Sequence, residues 1–125
     1  MPVHTITAGT TASYYDGLAS PPEGFEDFAT PLLRHYEFRA LIPYAGGDGR
    51  LLGFQLWQAL RGVVAALPAP ADADTTGIDA PGSVELSQMV HDGLVAALGL
   101  TNGCRVEVRV DEILGTTYST LAGDQ

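Results

Sequence analysis

The chain has 125 residues, 46% of them hydrophobic and 17% charged, which is enough apolar material for one globular domain with a real core. Its formal net charge is −9 and all its cations are arginines, which disfavours nucleic acids and anionic membranes as partners. No apolar run approaches the roughly 20 residues of a membrane span, and the N-terminus lacks the pattern of a signal peptide. The composition predicts a single cytoplasmic domain over residues 1–125.

The N-terminal part predicts two strands separated by a long loop. Residues 3–14 are rich in threonine and β-branched residues, which favours a first strand. Residues 15–31 carry prolines, glycines and acids, which indicates a loop. Residues 35–44 alternate aromatic or aliphatic with polar side chains and predict a second strand. Pro43 indicates that this strand lies at a sheet edge or ends there.

Two helices are predicted in the middle of the chain. Residues 54–67 have helical spacing, and Pro68 ends that helix. Residues 68–82 form an acidic loop rich in alanine and proline, and Ser83 is a plausible cap for the second helix. The first helix has a predicted core stripe of Trp57, Leu60, Val64 and Leu67. The second has a stripe of Leu86, Met89, Val90, Gly93, Leu94, Ala97 and Leu98.

Residues 104–112 alternate apolar and polar side chains so regularly that they predict a half-buried strand. Glu112 continues the apolar face, and a carboxylate there needs hydrogen-bond donors, which a ligand could supply. Cys104 lies on the same face, so we expect a core residue rather than a nucleophile. As the only cysteine, it excludes an internal disulfide and a multi-cysteine zinc site. A last short strand is predicted over residues 116–121.

The predicted order is therefore ββααββ, an α+β fold with an antiparallel four-stranded sheet and two helices packed on one face. Such a sheet leaves open edges, and natural proteins cover or pair these edges. We therefore expect association with further copies of the chain.

Several segments in this order carry a family resemblance over roughly residues 33–120. They are His35-Tyr36-Glu37-Phe38-Arg39, the turn at 46–49, Phe54, Pro81-Gly82-Ser83-Val84-Glu85-Leu86, Glu112 and Gly115-Thr116-Thr117. In order and spacing the chain resembles the 6-pyruvoyl-tetrahydropterin synthase and 6-carboxytetrahydropterin synthase family. The resemblance implies a T-fold, homotrimers or homohexamers with sites at subunit interfaces, and substrate binding by Glu112 and Thr116.

The chain departs from that family at its metal site. Tyr14 stands near the position of the first zinc-binding histidine, and Leu33-Arg34-His35 stands where the histidine pair is expected. A catalytic zinc normally has three protein ligands, so one histidine does not hold it. Residues 29–32 also lack the family's nucleophilic cysteine. We therefore predict a protein without a metal or other cofactor.

These observations predict a metal-independent lyase, cyclase or isomerase that acts on a small cyclic, pterin-like or specialised-metabolite substrate. His35 is the candidate acid–base group, Tyr14 a hydrogen-bonding group, and Arg34 a partner for an anionic group. One alternative is a non-catalytic ligand-binding or assembly protein on the same scaffold. A further alternative is a tautomerase in which the amine of Pro2 is the base.

Overall fold

The structure, a computed structural model, describes residues 4–17, 20–29, 32–44, 48–68, 82–100, 103–111 and 117–123. The strands are β1 (His4–Asp16), β2 (Leu32–Tyr44), β3 (Arg105–Asp111) and β4 (Thr117–Gly123), and the helices are α1 (Gly49–Ala65) and α2 (Ser83–Leu98). The strands form one sheet in the order β1-β2-β3-β4, with every neighbouring pair antiparallel. The predicted α+β class and its order ββααββ are confirmed.

One face of the sheet is covered by the helices and forms the core; we call it the covered face. Within β1, β2 and β3, the even-numbered residues whose side chains are described point into it because side chains alternate along a strand. Cys104 is fully buried, as predicted. The helices share the core with the strands, α1 packing mainly on β1 and α2 on β3 and β4. The fully buried residues on this face include Phe38, Ala40, Leu56, Leu60, Val90, Leu94, Val106, Val108 and Val110.

Helix α1 begins five residues before the predicted position because Asp48 caps it. The carboxylate of Asp48 accepts hydrogen bonds from the backbone N–H groups of Arg50 and Leu51, at 3.0 and 3.3 Å. Such caps satisfy donors that have no partner within the helix. The predicted core stripe is wrong at Trp57, which is 43% exposed. Its neighbour Leu56 is buried instead, because the stripe that faces the sheet runs at a spacing of four residues through Leu56, Leu60 and Val64.

Helix α2 begins at Ser83, and its N-cap is Gly82 rather than the predicted Ser83. The side chain of Glu85 accepts a hydrogen bond of 2.9 Å from the N–H of Gly82. Leu86, Val90 and Leu94 are buried as predicted, but Met89 is 39% exposed and the prediction that it lies in the core is wrong.

The loop and strand boundaries also differ from the sequence prediction. β1 extends to Asp16, and residues Glu26–Ala29 of the predicted 15–31 loop form a short 3-10 helix. β2 is an interior strand, and its pairing with β3 extends only to Leu41, so Pro43 lies near the strand end rather than on a sheet edge. Most of the predicted 68–82 loop, and both Glu112 and Thr116, lie outside the described residues. In the part of the chain that the structure describes, neither helix is long and apolar enough to cross a membrane.

Candidate functional site

The three candidate catalytic residues do not meet on one face of the sheet. Arg34 and His35 are adjacent in β2, so their side chains point to opposite faces. Tyr14 is paired with Arg34 across the β1–β2 ladder, whereas His35 is paired with Ser13. The structure therefore brings Tyr14 and Arg34 together and places His35 on the other side of the sheet, which we call the open face.

Tyr14 and Arg34 lie at the margin of the core. Their exposed fractions are 9% and 5%, so both are among the buried residues of the covered face. The ring of Tyr14 packs at a tilt against that of Tyr36, with 5.3 Å between the centroids. Burial raises the pKa of the Tyr14 hydroxyl, because the charged phenolate is poorly solvated there. Tyr14 is therefore suited to donate a hydrogen bond rather than to act as a base near neutral pH.

His35 lies on the open face and is oriented by a hydrogen bond from the neighbouring strand. Its Nδ1 and the Oγ of Ser13 are 2.7 Å apart, across a separation of 22 residues in sequence. Both residues are exposed. Because Nδ1 shares this bond, the imidazole cannot rotate freely, and a histidine held in this way can transfer protons at a defined position.

A second row of side chains lies beside the Ser13–His35 pair. Glu37 is paired with Thr11 on β1 and with Arg109 on β3, so these three residues cross the open face in one line. The next residue of β2 on this face is Arg39. Its guanidinium lies 3.3 Å from the carboxylate of Glu37 and 4.0 Å from that of Glu107.

The Ser13–His35 pair and the row of Thr11, Glu37 and Arg109 line a depression of about 380 Å³. We call it the open-face depression. An adjoining hollow of about 620 Å³ continues along β1 past Gly9, which contributes no side chain. The depression combines an acid–base group, hydroxyls, a carboxylate and a guanidinium, and polar groups that converge in a concavity are typical of ligand sites.

No metal-binding cluster is found among the described residues: none of their histidine, cysteine, aspartate and glutamate side chains form a group of three or more that could hold an ion. The predicted substrate-binding residues Glu112 and Thr116 lie outside that part of the chain. The sequence prediction missed Ser13, Glu37 and Arg109. The signal that could have found them is the alternation itself, because all three share odd numbering with His35 on strands of the same sheet.

The outer flank of α1 is a second feature that the sequence did not predict. Leu51, Phe54 and Trp57 are 55%, 62% and 43% exposed and form what we call the α1 aromatic flank. A groove of about 470 Å³ separates Phe54 and Trp57 from Thr7 and Ala8 of the edge strand β1. Large apolar side chains grouped on a surface in this way are typical of an interaction site.

Comparison with known proteins gives no relative from which a function could be transferred. No family model matches the chain, and no curated protein and no solved structure is significantly similar to it.

Proposed function

We propose that this protein binds a small cyclic molecule in the open-face depression and acts on it as a metal-independent lyase, cyclase or isomerase on a T-fold-like scaffold. The observation that carries the proposal is the 2.7 Å hydrogen bond between Ser13 and His35 in a depression of about 380 Å³. An imidazole held in place next to a bound ligand can give or take a proton at one defined atom. Binding pockets for small ligands have volumes of this order.

The proposal assigns different roles to the three candidate catalytic residues. His35 is the acid–base group because it lines the depression. Tyr14 and Arg34 lie on the opposite, covered face of the sheet, so in this proposal they do not touch the ligand of the depression. The family resemblance supports Glu112 and Thr116 as further binding residues.

Thermal-shift measurements with a panel of pterins and purines test the proposal. We expect at least one ring compound to stabilise the wild-type protein, and we expect this stabilisation to disappear in His35→Gln. His4→Gln is the matched control, because His4 is also an exposed histidine but lies at the opposite end of the β1–β2 ladder, beside Tyr44. Equal stabilisation of His35→Gln and wild type would exclude His35 from the site. Stoichiometric zinc in the purified protein would contradict metal independence.

A non-catalytic assembly protein is the second candidate, and the two edge strands favour it. β1 pairs only with β2, and β4 only with β3, within the described part of the sheet. Neither strand contains lysine or proline, the residues that commonly protect natural edges from pairing. The α1 aromatic flank lies directly beside the β1 edge. A second copy that adds a strand to β1 would bring its own helix layer against this flank.

We therefore propose that the chain forms a ring-like homotrimer or homohexamer through these edges. Native mass spectrometry of the wild type should give one of these masses, and Phe54→Glu should shift the population towards smaller species. Gln55→Glu is the control, since it adds the same charge at an exposed position of the same helix. Gln55 lies away from the α1 aromatic flank, in a groove between α1 and the end of α2. A monomeric wild type, or equal effects of the two substitutions, would contradict this interface.

The cytoplasmic location and the tautomerase alternative stay predictions from the sequence. Pro2 lies outside the described residues. If the protein tautomerises a keto acid such as phenylpyruvate through the N-terminal amine, Pro2→Ala should abolish the activity. Unchanged activity in this variant would end the alternative.

A further inference from the structure

The open face differs in charge from the rest of this acidic protein. The chain has six arginines and fifteen acidic residues. Three of these arginines, Arg39, Arg105 and Arg109, are exposed on β2 and β3 with the numbering of the open face. The carboxylates with the same numbering on these strands are those of Glu37, Glu107 and Asp111. On this face arginines and carboxylates are equal in number, so on a protein of net charge −9 it repels small anions less than the remaining surface does.

The arginines of this face differ in how close they lie to carboxylates. Arg39 is close to two of the carboxylates, at 3.3 Å from Glu37 and 4.0 Å from Glu107. Arg109 lines the depression that contains His35. Neither Glu37 nor Glu107 forms an ion pair with Arg109. Arg109 is the arginine among the residues that line this depression, and it is exposed, so its guanidinium can reach a ligand there.

The register sets how far Arg109 lies from His35. Arg109 is paired with Glu37, and His35 is two residues from Glu37 on the same face of β2. Residues in this diagonal relation on neighbouring strands are about 7–8 Å apart. A carboxylate placed between them can accept two parallel hydrogen bonds from the guanidinium while the rest of the ligand lies against the imidazole and the hydroxyls of Ser13 and Thr11.

We propose that the ligand of the open-face depression carries a carboxylate, which Arg109 binds and which presents the adjoining carbon atoms to His35. The inference rests on the proposed function, because it names the substrate class of the same site. One guanidinium balances one negative charge, so the site suits a monoanionic carboxylate better than a dianionic phosphate.

Benzoate, benzamide and phenyl phosphate are suitable probes because they share a ring and differ in the charged group. In NMR titrations of the full chain, benzoate should shift the side-chain signals of Arg109 and His35 and should bind about tenfold or more tightly than benzamide, the gain expected from charge-assisted hydrogen bonds. Phenyl phosphate should bind no better than benzoate. Stronger binding of benzamide or phenyl phosphate, or no shift with benzoate, would overturn the assignment of a carboxylate.

Two arginine variants locate the binding group. Arg109→Gln should weaken benzoate binding about tenfold or more, whereas Arg105→Gln should leave it nearly unchanged. Arg105 is the matched control because it is exposed on the same strand and face but does not line the depression. Equal weakening by the two substitutions would show a general charge effect and would overturn the assignment to Arg109.

The outcomes also separate this inference from the proposed function. If benzoate binds through Arg109 but no pterin or purine stabilises the protein, the carboxylate site stands and the proposed ring substrate is wrong. If a ring compound requires His35 but binds equally to wild type and Arg109→Gln, the proposed function stands and the carboxylate inference is wrong.

Discussion

Gly93 of α2 faces Val63 of α1, and the space between them allows a quantitative prediction. A Cβ atom added at Gly93 would lie 2.7 Å from Cγ1 and 3.1 Å from Cγ2 of Val63, closer than an ordinary van der Waals contact. Replacing a helical glycine by alanine normally stabilises a protein by roughly 0.5–1 kcal/mol. Overpacking a tight contact costs about 1–3 kcal/mol. The second effect is larger, so Gly93→Ala should destabilise the protein by about 1 kcal/mol.

Gly62 is the matched control on α1. A Cβ atom at Gly62 would have no atom within 4 Å, so Gly62→Ala keeps the gain in helix propensity without a steric cost. The two alanine variants should therefore differ by about 2 kcal/mol in the free energy of unfolding. For a chain of this length that difference corresponds to a difference in Tm of about 8 °C.

Urea unfolding followed by far-UV circular dichroism, at one fixed protomer concentration, measures these values. Val63→Ala should remove the close contact, so in the double variant the cost of Gly93→Ala should fall by about 1 kcal/mol or more. If Gly93→Ala stabilises the protein as much as Gly62→Ala does, the close approach of the two helices is wrong.

Three further predictions concern a helix cap, a buried hydroxyl and a buried thiol. Asp48→Ala should cost about 1 kcal/mol of unfolding free energy in urea because α1 loses its N-cap, whereas Asp48→Asn should retain most of the stability; no difference between them would contradict the capping role. Because the pKa of Tyr14 is raised, its contribution to stability is complete below its ordinary value of 10.0 and is lost as the pH rises through the folded value. Tyr14→Phe should therefore lose less stability in alkaline buffer than wild type, and identical pH profiles of the two proteins would refute the burial effect. Cys104 is fully buried, so Ellman's reagent should react far more slowly with native than with urea-unfolded protein, and equal rates would contradict the assigned core position.

The buried face of each strand could be predicted from the sequence because the alternation of side chains along a strand is a local property. In β3, the apolar side chains Val106, Val108 and Val110 are all buried, as the sequence indicates. The same rule separates Arg34 from His35, since adjacent residues of a strand point to opposite faces. That separation was therefore available from the sequence, although the predicted catalytic group included both residues.

The buried stripe of α1 could not be predicted with the same precision. Both Leu56 and Trp57 fit the helical spacing with Leu60 and Val64, and the sequence prediction placed Trp57 in the core. The sheet contacts only one arc of the helix, and its position rotates Leu56 inward and leaves Trp57 43% exposed. The rotation of α1 about its own axis relative to the sheet depends on packing with residues far away in sequence.

The sequence by itself determined which segments form strands and helices, and which side of each strand is apolar, because these features depend on neighbouring residues. Only the tertiary structure decided that Ser13 is the partner of His35 and that Arg109 lies beside them. Those contacts depend on the register between β1, β2 and β3, in which a shift by one residue exchanges the two faces of a strand. Register is selected by the burial of the whole covered face, so the composition of the open face is a consequence of core packing on the other side of the sheet.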